Sequence, residues 1–252
     1  MSDALHLDGP TPGPRPGVVH RHFHDELSEL KSTLLAMSAE AQTALAAAVD
    51  ALLQRDAARA SQVISGDHRI DAMENGIEDL VVRLLATQQP MARDLRLLMA
   101  ALKIANDLER VGDHAVNIAQ SAERLLAAPP ITPEPEILEM ARLARRMLAD
   151  ALDAFVRADA QAGRAVCQRD DQVDSLHDSV FRILLTHMME TPHIISAAME
   201  LFLVSRNLER VADLATNIGE DVVFLVEGKS IKHHAEDRGE APAGGRTASA
   251  GR

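Results

Sequence analysis

Apolar residues recur at alternating steps of three and four along almost the whole chain, the spacing that places them on one face of an α-helix. Within residues 91–127 the recurring positions are Leu98, Ala101, Ala105, Leu108, Gly112, Ala115, Ala119 and Ala122. A matching series runs through residues 193–227, at Ala198, Leu201, Ser205, Leu208, Ala212, Ala215, Gly219 and Val222. Seams of this kind hold neighbouring helices together, so we assign both to the core.

Proline and aspartate interrupt this pattern at Asp56, Pro90, 129–135, Asp159 and Pro192. The stretches between them predict six helices, near residues 21–55, 57–88, 91–127, 134–157, 159–190 and 193–227. The predicted fold is all-α, with two tandem three-helix bundles forming an elongated six-helix protein. The bundles span 20–127 and 134–228, joined by a proline-rich linker at 128–133. The ends, 1–19 and 229–252, are predicted to be a disordered lead and a disordered tail.

Composition supports helices and argues against several classes of protein. The chain of 252 residues is 46% apolar, with five Phe and no Trp or Tyr, a palette that favours helices over sheets. The single cysteine, Cys167, excludes an internal disulfide framework and fits a reducing compartment, so we expect a cytoplasmic protein. The absence of an apolar run of about 18 residues argues against membrane insertion. A net charge of −12 argues against a nucleic acid partner.

One sequence motif occurs twice, which indicates a duplicated domain with a duplicated site. Leu108-Glu109-Arg110-Val111-Gly112-Asp113, followed by Asn117-Ile118, recurs as Leu208-Glu209-Arg210-Val211-Ala212-Asp213, followed by Asn217-Ile218. Each copy places a glutamate and an aspartate four residues apart, on one face of a helix, where the two carboxylates repel each other. Another group must therefore favour the pair, and a bound cation is the leading candidate.

The preceding helix of each bundle supplies further acids. Asp67, Asp71, Glu74 and Glu78 form an acidic stripe beside the apolar seam of the second predicted helix. A turn centred on Pro90 brings Asp71 level with Glu109 and Asp67 level with Asp113, because each pair is equidistant from the turn. In the second copy, a turn between Thr191 and Pro192 pairs Asp174 with Glu209 and Asp170 with Asp213 in the same way. The sequence thus predicts two clusters of four carboxylates.

Clustered carboxylates can coexist if they are protonated, if they pair with Arg or Lys, or if they ligate a cation such as Mg²⁺, Ca²⁺, Mn²⁺ or iron. We favour metal binding because the arrangement is duplicated. The alternatives are an ion-pair network, in which Arg110 and Arg210 directly follow the glutamates, and an acidic docking surface. Asn117 and Asn217 extend each stripe and could orient a carboxylate or donate a carbonyl oxygen, although a simple surface role is equally compatible with their positions.

Three local motifs, in order along the chain, resemble the PhoU family of phosphate-signalling proteins. They are Gln89-Pro-Met-Ala-Arg-Asp-Leu-Arg96, the duplicated Leu-Glu-Arg-Val-x-Asp-x-x-x-Asn-Ile, and the ending Asp221-Val-Val-Phe-Leu-Val-Glu-Gly-Lys-Ser-Ile-Lys-His233. The resemblance covers roughly residues 20–233.

The resemblance implies a non-enzymatic, cytoplasmic, homodimeric negative regulator of phosphate uptake. Such a protein couples the ATPase subunit of the phosphate ABC transporter to a phosphate-sensing histidine kinase. It also implies metal sites for iron, zinc, Mg²⁺ or Mn²⁺, with the ligands Asp67, Asp71, Glu109 and Asp113 in one site and Asp170, Asp174, Glu209 and Asp213 in the other.

The second copy departs from the first, since His177 stands in place of Glu74 and Phe181 in place of Glu78. We expect its site to be weaker or to prefer a different metal. No glycine-rich phosphate cradle is present, so we expect the transporter to sense phosphate and this chain to relay the signal by protein contact.

Two other classes remain as alternatives. A carboxylate-bridged di-iron oxidase can be built in a helical bundle, but its usual Glu-x-x-His motif does not occur in this sequence, and the acids flank the seam instead of occupying it. A histidine phosphotransfer bundle would need an exposed histidine in a suitable constellation, and the sequence offers none that is convincing.

Overall fold

The computed structural model describes residues 16–229 and residue 231, and these residues form an all-helical fold. The helices are α1 Pro16–Gln54, α2 Ala57–Gly66, α3 His68–Gln88, α4 Arg93–Ala127, α5 Pro135–Arg157, α6 Ala160–Cys167, α7 Asp170–Glu190 and α8 Ile195–Glu227, with a 3₁₀ turn at Pro192–Ile194. Residues 128–134, which include the predicted linker at 128–133, are not helical. None of the described helices combines the length and the hydropathy needed to cross a bilayer.

Two of the six predicted helices were wrong in detail, because each is divided into a short and a long helix. The first division falls at Asp67, where the amide of Ile70 donates to the carbonyl of Asp67 at 2.7 Å. The second falls at Gln168 and Arg169, where the amide of Arg169 donates to the carbonyl of Val166 at 3.0 Å. These three-residue turns are tighter than an α-helical turn. They place Asp67 and Asp170 at the starts of α3 and α7, where the helix dipole favours a negative charge.

The chain ends also differ from the prediction where the structure describes them. Helix α1 begins at Pro16, so residues 16–19 belong to a helix and not to a disordered lead. Proline suits a helix start because its φ angle is preset and the amide hydrogen it lacks would have no partner within the helix. Residues 1–15, together with 230 and 232–252 of the predicted tail, lie outside the described part of the chain.

Aspartate caps start the second helix of each repeat. The carboxylate of Asp56 accepts a hydrogen bond from the amide of Arg59 at 3.0 Å. The carboxylate of Asp159 accepts from the amides of Gln161 and Ala162, both at 3.0 Å. These caps satisfy amides that would otherwise be unpaired at a helix start. The predicted breaks at Asp56 and Asp159 are therefore confirmed, and their physical cause is the same in both repeats.

The two motif-bearing helices, α4 and α8, pack against each other in the middle of the molecule. They run antiparallel, because Arg96 near the start of α4 donates from Nε to the Leu225 carbonyl at 3.1 Å. At the other end, Arg124 Nε donates to Glu200 Oε1 at 2.8 Å. Helices α1 to α3 surround α4, and α5 to α7 surround α8. This packing places the duplicated motifs near the interface between the repeats.

Candidate functional site

The first acidic cluster brings Asp67, Asp71 and Glu74 toward Glu109 and Asp113 of α4. Burial raises the pKa of Glu109 to about 7, and repulsion from Asp113, Glu74, Asp71 and Asp67 adds to the rise. Burial also raises the pKa of Asp67, and repulsion from Asp71 and Asp113 acts in the same direction. These mutual effects show that the carboxylates predicted to lie level across the Pro90 turn are electrostatic neighbours.

Gly112 allows this close approach of α4 to the start of α3. A Cβ atom added at Gly112 would lie 3.0 Å from Asp67 Oδ1 and 2.9 Å from Ile70 Cδ1. The Asp67 carboxylate therefore packs directly over a glycine that the second repeat replaces with Ala212. Gly112, just before Asp113 in the motif, thus has a steric role. The sequence alone does not reveal this role, because Gly112 lies in the apolar seam like its neighbours.

Of the two supporting acids predicted on α3, Glu74 lies in the first cluster and Glu78 does not. Glu74 repels Glu109, and its Oε1 accepts a hydrogen bond from Asn106 Nδ2 at 3.3 Å. Glu78 is exposed on α3 and is not among the groups that raise the pKa of Glu109. The acidic stripe therefore contributes its first three members to the cluster.

The second acidic cluster contains Asp170, Asp174, Glu209 and Asp213. Burial raises the pKa of Asp170 to about 6, with repulsion from Asp213 and Asp174 acting in the same direction. Burial also raises the pKa of both Glu209 and Asp213, and Arg210 opposes each rise. The buried Oδ1 atom of Asp170 has no hydrogen-bond partner of good geometry, but the Thr216 side chain beside it acts to lower the Asp170 pKa. A buried carboxylate oxygen is costly unless a hydrogen bond, a proton or a cation satisfies it.

Arginine makes the two clusters different. Arg210 Nε lies 3.5 Å from Glu209 Oε2, and Arg210 Nη1 lies 3.1 Å from Asp213 Oδ2. Arg110, at the equivalent position, makes no ion pair within the described part of the chain. It lies instead with Asp170 and Asp213 in a cavity of about 290 Å³, which Arg210, Leu214, Thr216 and Asn217 also line. The ion-pair alternative thus describes part of the second cluster, whereas no arginine neutralises the first.

The chemistry of both clusters suits a hard or borderline cation, since carboxylate oxygens are the donors that such ions prefer. The buried Oδ1 of Asp170 is consistent with that role. As placed, however, no group of three or more His, Cys, Asp or Glu side chains within the described residues is gathered closely enough to hold an ion. The carboxylates would have to change rotamer to converge on a metal.

Three other predicted residues occupy different surroundings. Asn217 lies beside Asp170 and Asp213, where its side chain could orient a carboxylate. Asn117 lies instead in a separate cavity between α4 and α8. His177, which replaces Glu74 in the second repeat, pairs through Nδ1 with Ser205 Oγ at 3.1 Å and stacks on Phe202 with ring centroids 5.3 Å apart. These contacts occupy one ring nitrogen and fix the ring against α8.

The cavity that contains Asn117 was missed by the sequence analysis. It has a volume of about 520 Å³ and is lined by Arg110, His114, Asn117, Ser121, Arg124, Leu203, Arg206, Asn207 and Arg210. We call it the arginine cavity. A signal existed in the sequence, because Arg206 and Arg210 are four residues apart on one helix face, but only the antiparallel packing of α4 and α8 brings Arg110 and Arg124 to them.

Comparison with known proteins explains the duplicated motif. A family model described as the PhoU domain matches residues 34–122 and matches again at 137–222. The chain belongs to the PhoU family. The two matches correspond to the two three-helix repeats, and the resemblance inferred from the three local motifs is confirmed.

Relatives and solved structures of the PhoU family cover most of this chain. The chain is 39% identical to the "Phosphate-specific transport system accessory protein PhoU homolog" of Caulobacter vibrioides, over 84% of this chain and 92% of that protein. The crystal structure of PhoU from Pseudomonas aeruginosa matches with a TM-score of 0.79 and 39% identity, over 82% of this chain and all of that one (100%).

A second crystal structure, of the phosphate transport system regulatory protein PhoU from Streptococcus pneumoniae, has a TM-score of 0.78 and 30% identity, over 83% of this chain and 99% of that one. The predicted fold class is therefore confirmed. The di-iron oxidase alternative gains no support from these relatives.

Proposed function

We propose that this chain is a cytoplasmic regulatory accessory of phosphate transport that keeps phosphate-starvation genes silent when phosphate is plentiful. The observation that carries the proposal is the match of both repeats to the PhoU domain, together with relatives named as accessory proteins of phosphate-specific transport. The function is regulatory and not enzymatic. Its action is to reduce phosphate uptake and starvation signalling.

The chain acts as an adaptor, as a homodimer, between the ATPase subunit of a phosphate ABC transporter and a phosphate-sensing histidine kinase. A bundle built around long packed helices suits this role because it presents side chains at fixed positions. Met91, just before α4, and Leu95 and Met99, in its first two turns, are exposed, with exposed fractions of 79%, 40% and 40%. Leu95 and Met99 are one helical turn apart and can contact a partner together.

The two acidic clusters bind metal, with Asp67, Asp71, Glu109 and Asp113 as ligands in one and Asp170, Asp174, Glu209 and Asp213 in the other. The ion is iron, zinc, Mg²⁺ or Mn²⁺, and it would neutralise the carboxylate repulsion. The raised pKa values of Glu109 and Asp170 mean that these carboxyls keep their protons to a higher pH than free carboxyls do. A cation must displace those protons, so its affinity should increase with pH.

Gene expression tests the regulatory role. Deletion of the gene in its own organism, grown in phosphate-rich medium, should raise the expression of phosphate-starvation genes, and a plasmid copy should silence them again. Unchanged expression after deletion would refute the proposal. The experiment does not depend on whether the acidic clusters bind metal.

Metal analysis of the natively purified protein tests the metal sites separately. The test variant changes Glu109, Asp113, Glu209 and Asp213 to Ala, and it should lose the metal that the native chain retains. The matched control changes four exposed acids outside the clusters, Asp25, Glu29, Asp79 and Glu123, to Ala and removes the same charge. The control should keep its metal. If neither the native chain nor the control holds metal after loading, the clusters are docking or ion-pair surfaces.

A further inference from the structure

The arginine cavity lies between α4 and α8, where the two repeats meet. Its lining includes four arginines, Arg110, Arg124, Arg206 and Arg210, and no acidic side chain. This composition is unusual for a chain with 38 acidic residues and 26 Lys and Arg residues. Guanidinium groups around one cavity repel each other, and a bound anion would relieve the repulsion that remains after Arg124 and Arg210 form their ion pairs.

Within the described residues, two of these four arginines form ion pairs, and Arg206 also acts on Glu209 at longer range. Arg124 pairs with Glu200 at 2.8 Å and also donates to Ser121 Oγ at 3.1 Å. Arg210 pairs with Glu209 and Asp213. Arg110 and Arg206 make no ion pair with any residue in the described part of the chain, and both are exposed. The cavity therefore contains two cationic side chains that are available to a ligand.

The polar side chains around these arginines are held in place. His114 Nδ1 lies 2.9 Å from Asn207 Oδ1, which joins α4 to α8 across the cavity. The amide nitrogen of Asn207 donates to the Leu203 carbonyl at 2.7 Å. The Asn207 oxygen is thus the acceptor for His114, and the side chain of Asn207 is fixed at both ends. The hydrogen-bonded pair His114 and Asn207 therefore gives this side of the cavity a fixed geometry, which suits the positioning of a small ligand.

The lining also determines the class of ligand. Guanidinium groups bind tetrahedral oxyanions through paired N–H donors, and Asn117 and Ser121 add further polar groups. Apart from His114, whose ring is hydrogen-bonded to Asn207, the lining has no aromatic side chain, and Leu203 is its only aliphatic one. A volume of about 520 Å³ is within the range of small-molecule sites. The favoured ligand is therefore small, compact and multiply charged.

We infer that the arginine cavity binds a phosphate oxyanion, either inorganic phosphate or a short condensed phosphate, with Arg110 and Arg206 as the principal ligand-binding residues. This inference goes beyond the proposed regulatory role, and it adds direct binding of phosphate to the expectation that this chain relays a signal sensed by the transporter. The proposed phosphate ligands, Arg110 and Arg206, differ from the proposed metal ligands, although Arg210 lines the cavity and also pairs with Glu209 and Asp213.

Calorimetric titration of the full chain tests this inference, with orthophosphate, tripolyphosphate and citrate as ligands at constant ionic strength. A chelator is present throughout, so that a metal in the acidic clusters cannot contribute a phosphate site. At least one of the two phosphate anions should bind once per chain. Tighter binding of orthophosphate would identify free phosphate as the occupant, and tighter binding of tripolyphosphate would identify a condensed phosphate.

The decisive variant carries Arg110→Gln and Arg206→Gln, which should weaken the binding of the phosphate anion by about tenfold or more. The matched control carries Arg145→Gln and Arg182→Gln, two exposed arginines remote from the cavity lining, and should bind as the native chain does. Circular dichroism verifies that both variants are folded. Absence of binding by either phosphate anion, tighter binding of citrate, or an equal loss in the control would overturn the inference.

Discussion

At the scale of single residues, the two copies of the motif place the same glutamate in different electrostatic surroundings. Arg210 lies beside Glu209 and opposes the rise in its pKa. No arginine is among the groups that act on Glu109, whose pKa rises to about 7. Arg110 and Arg210 line the same two cavities, but within the described residues only Arg210 also pairs with the carboxylates of its own helix. Identical sequence therefore produces one cluster that is partly neutralised and another that is not.

The raised pKa of Glu109 predicts a pH dependence of stability. Between its usual value of 4.5 and the folded value of about 7, the folded state binds more protons than the unfolded state. The contribution of Glu109 to the free energy of unfolding should therefore fall as pH rises through this window. Glu109→Gln should remove part of this fall and raise the free energy of unfolding by about 1 kcal/mol at alkaline pH. The gain is smaller than the full pKa shift would give, because solvent screens this partly exposed carboxylate.

Urea unfolding in the presence of a chelator, from about pH 5 to about pH 8, measures this effect. Glu123→Gln, at an exposed position on the same helix, is the control and should leave the native pH profile unchanged. An identical profile in Glu109→Gln would contradict the assigned pKa, because only the difference between the two profiles isolates Glu109 from groups such as His114 and His177, whose lowered pKa values act in the opposite direction.

At the scale of elements, glycine decides how closely the short helix α6 approaches α8. A Cβ atom at Gly163 would lie 2.6 Å from the Gly219 carbonyl oxygen, and one at Gly219 would lie 2.8 Å from the Gly163 carbonyl oxygen. Both obstacles are backbone atoms, which cannot rotate away. The close packing of α6 on α8 therefore requires glycine at both positions.

Gly219→Ala should lower the free energy of unfolding by about 1–2 kcal/mol. Overpacking costs about 1–3 kcal/mol, and the better helix propensity of alanine offsets up to about 1 kcal/mol. The matched control is Gly76→Ala on α3, because a Cβ atom there meets nothing within 4 Å. Gly76→Ala should be neutral or stabilising. Urea unfolding distinguishes the two, and stabilisation by both substitutions would show that α6 can move away without cost.

Hydrophobic periodicity predicted the helical class and most helix positions because each long helix buries a continuous seam. It did not predict the divisions at Asp67 and at Gln168 to Arg169, because the seam continues across both. The equal distances of the acids from each turn predicted the acidic clusters. The arginine cavity depends on how α4 crosses α8, and that packing brings together residues about a hundred positions apart, which local periodicity does not report.

At the scale of the whole molecule, polar contacts join the two repeats along the α4–α8 interface. Lys103 Nζ lies 2.9 Å from Asp221 Oδ1, and it also lies 5.4 Å from the centre of the Phe224 ring. The Asp221 side chain is only 3% exposed, and its Oδ2 is buried without a hydrogen-bond partner. Lys103 is therefore the ion-pair partner that compensates a charge buried between the repeats.

Lys103→Met should lower the free energy of unfolding by about 3 kcal/mol, because it leaves the Asp221 carboxylate buried and unpaired. The double variant Lys103→Met and Asp221→Leu removes both charges and should recover most of that loss, since an apolar pair can replace a buried ion pair at little cost. Urea unfolding of the native chain, both single variants and the double variant completes the cycle. If the double variant is as unstable as Lys103→Met, loss of lysine packing and not an uncompensated charge is the cause. In that case, apolar packing of the lysine side chain, and not the ion pair with Asp221, would stabilise the contact between the repeats at this point.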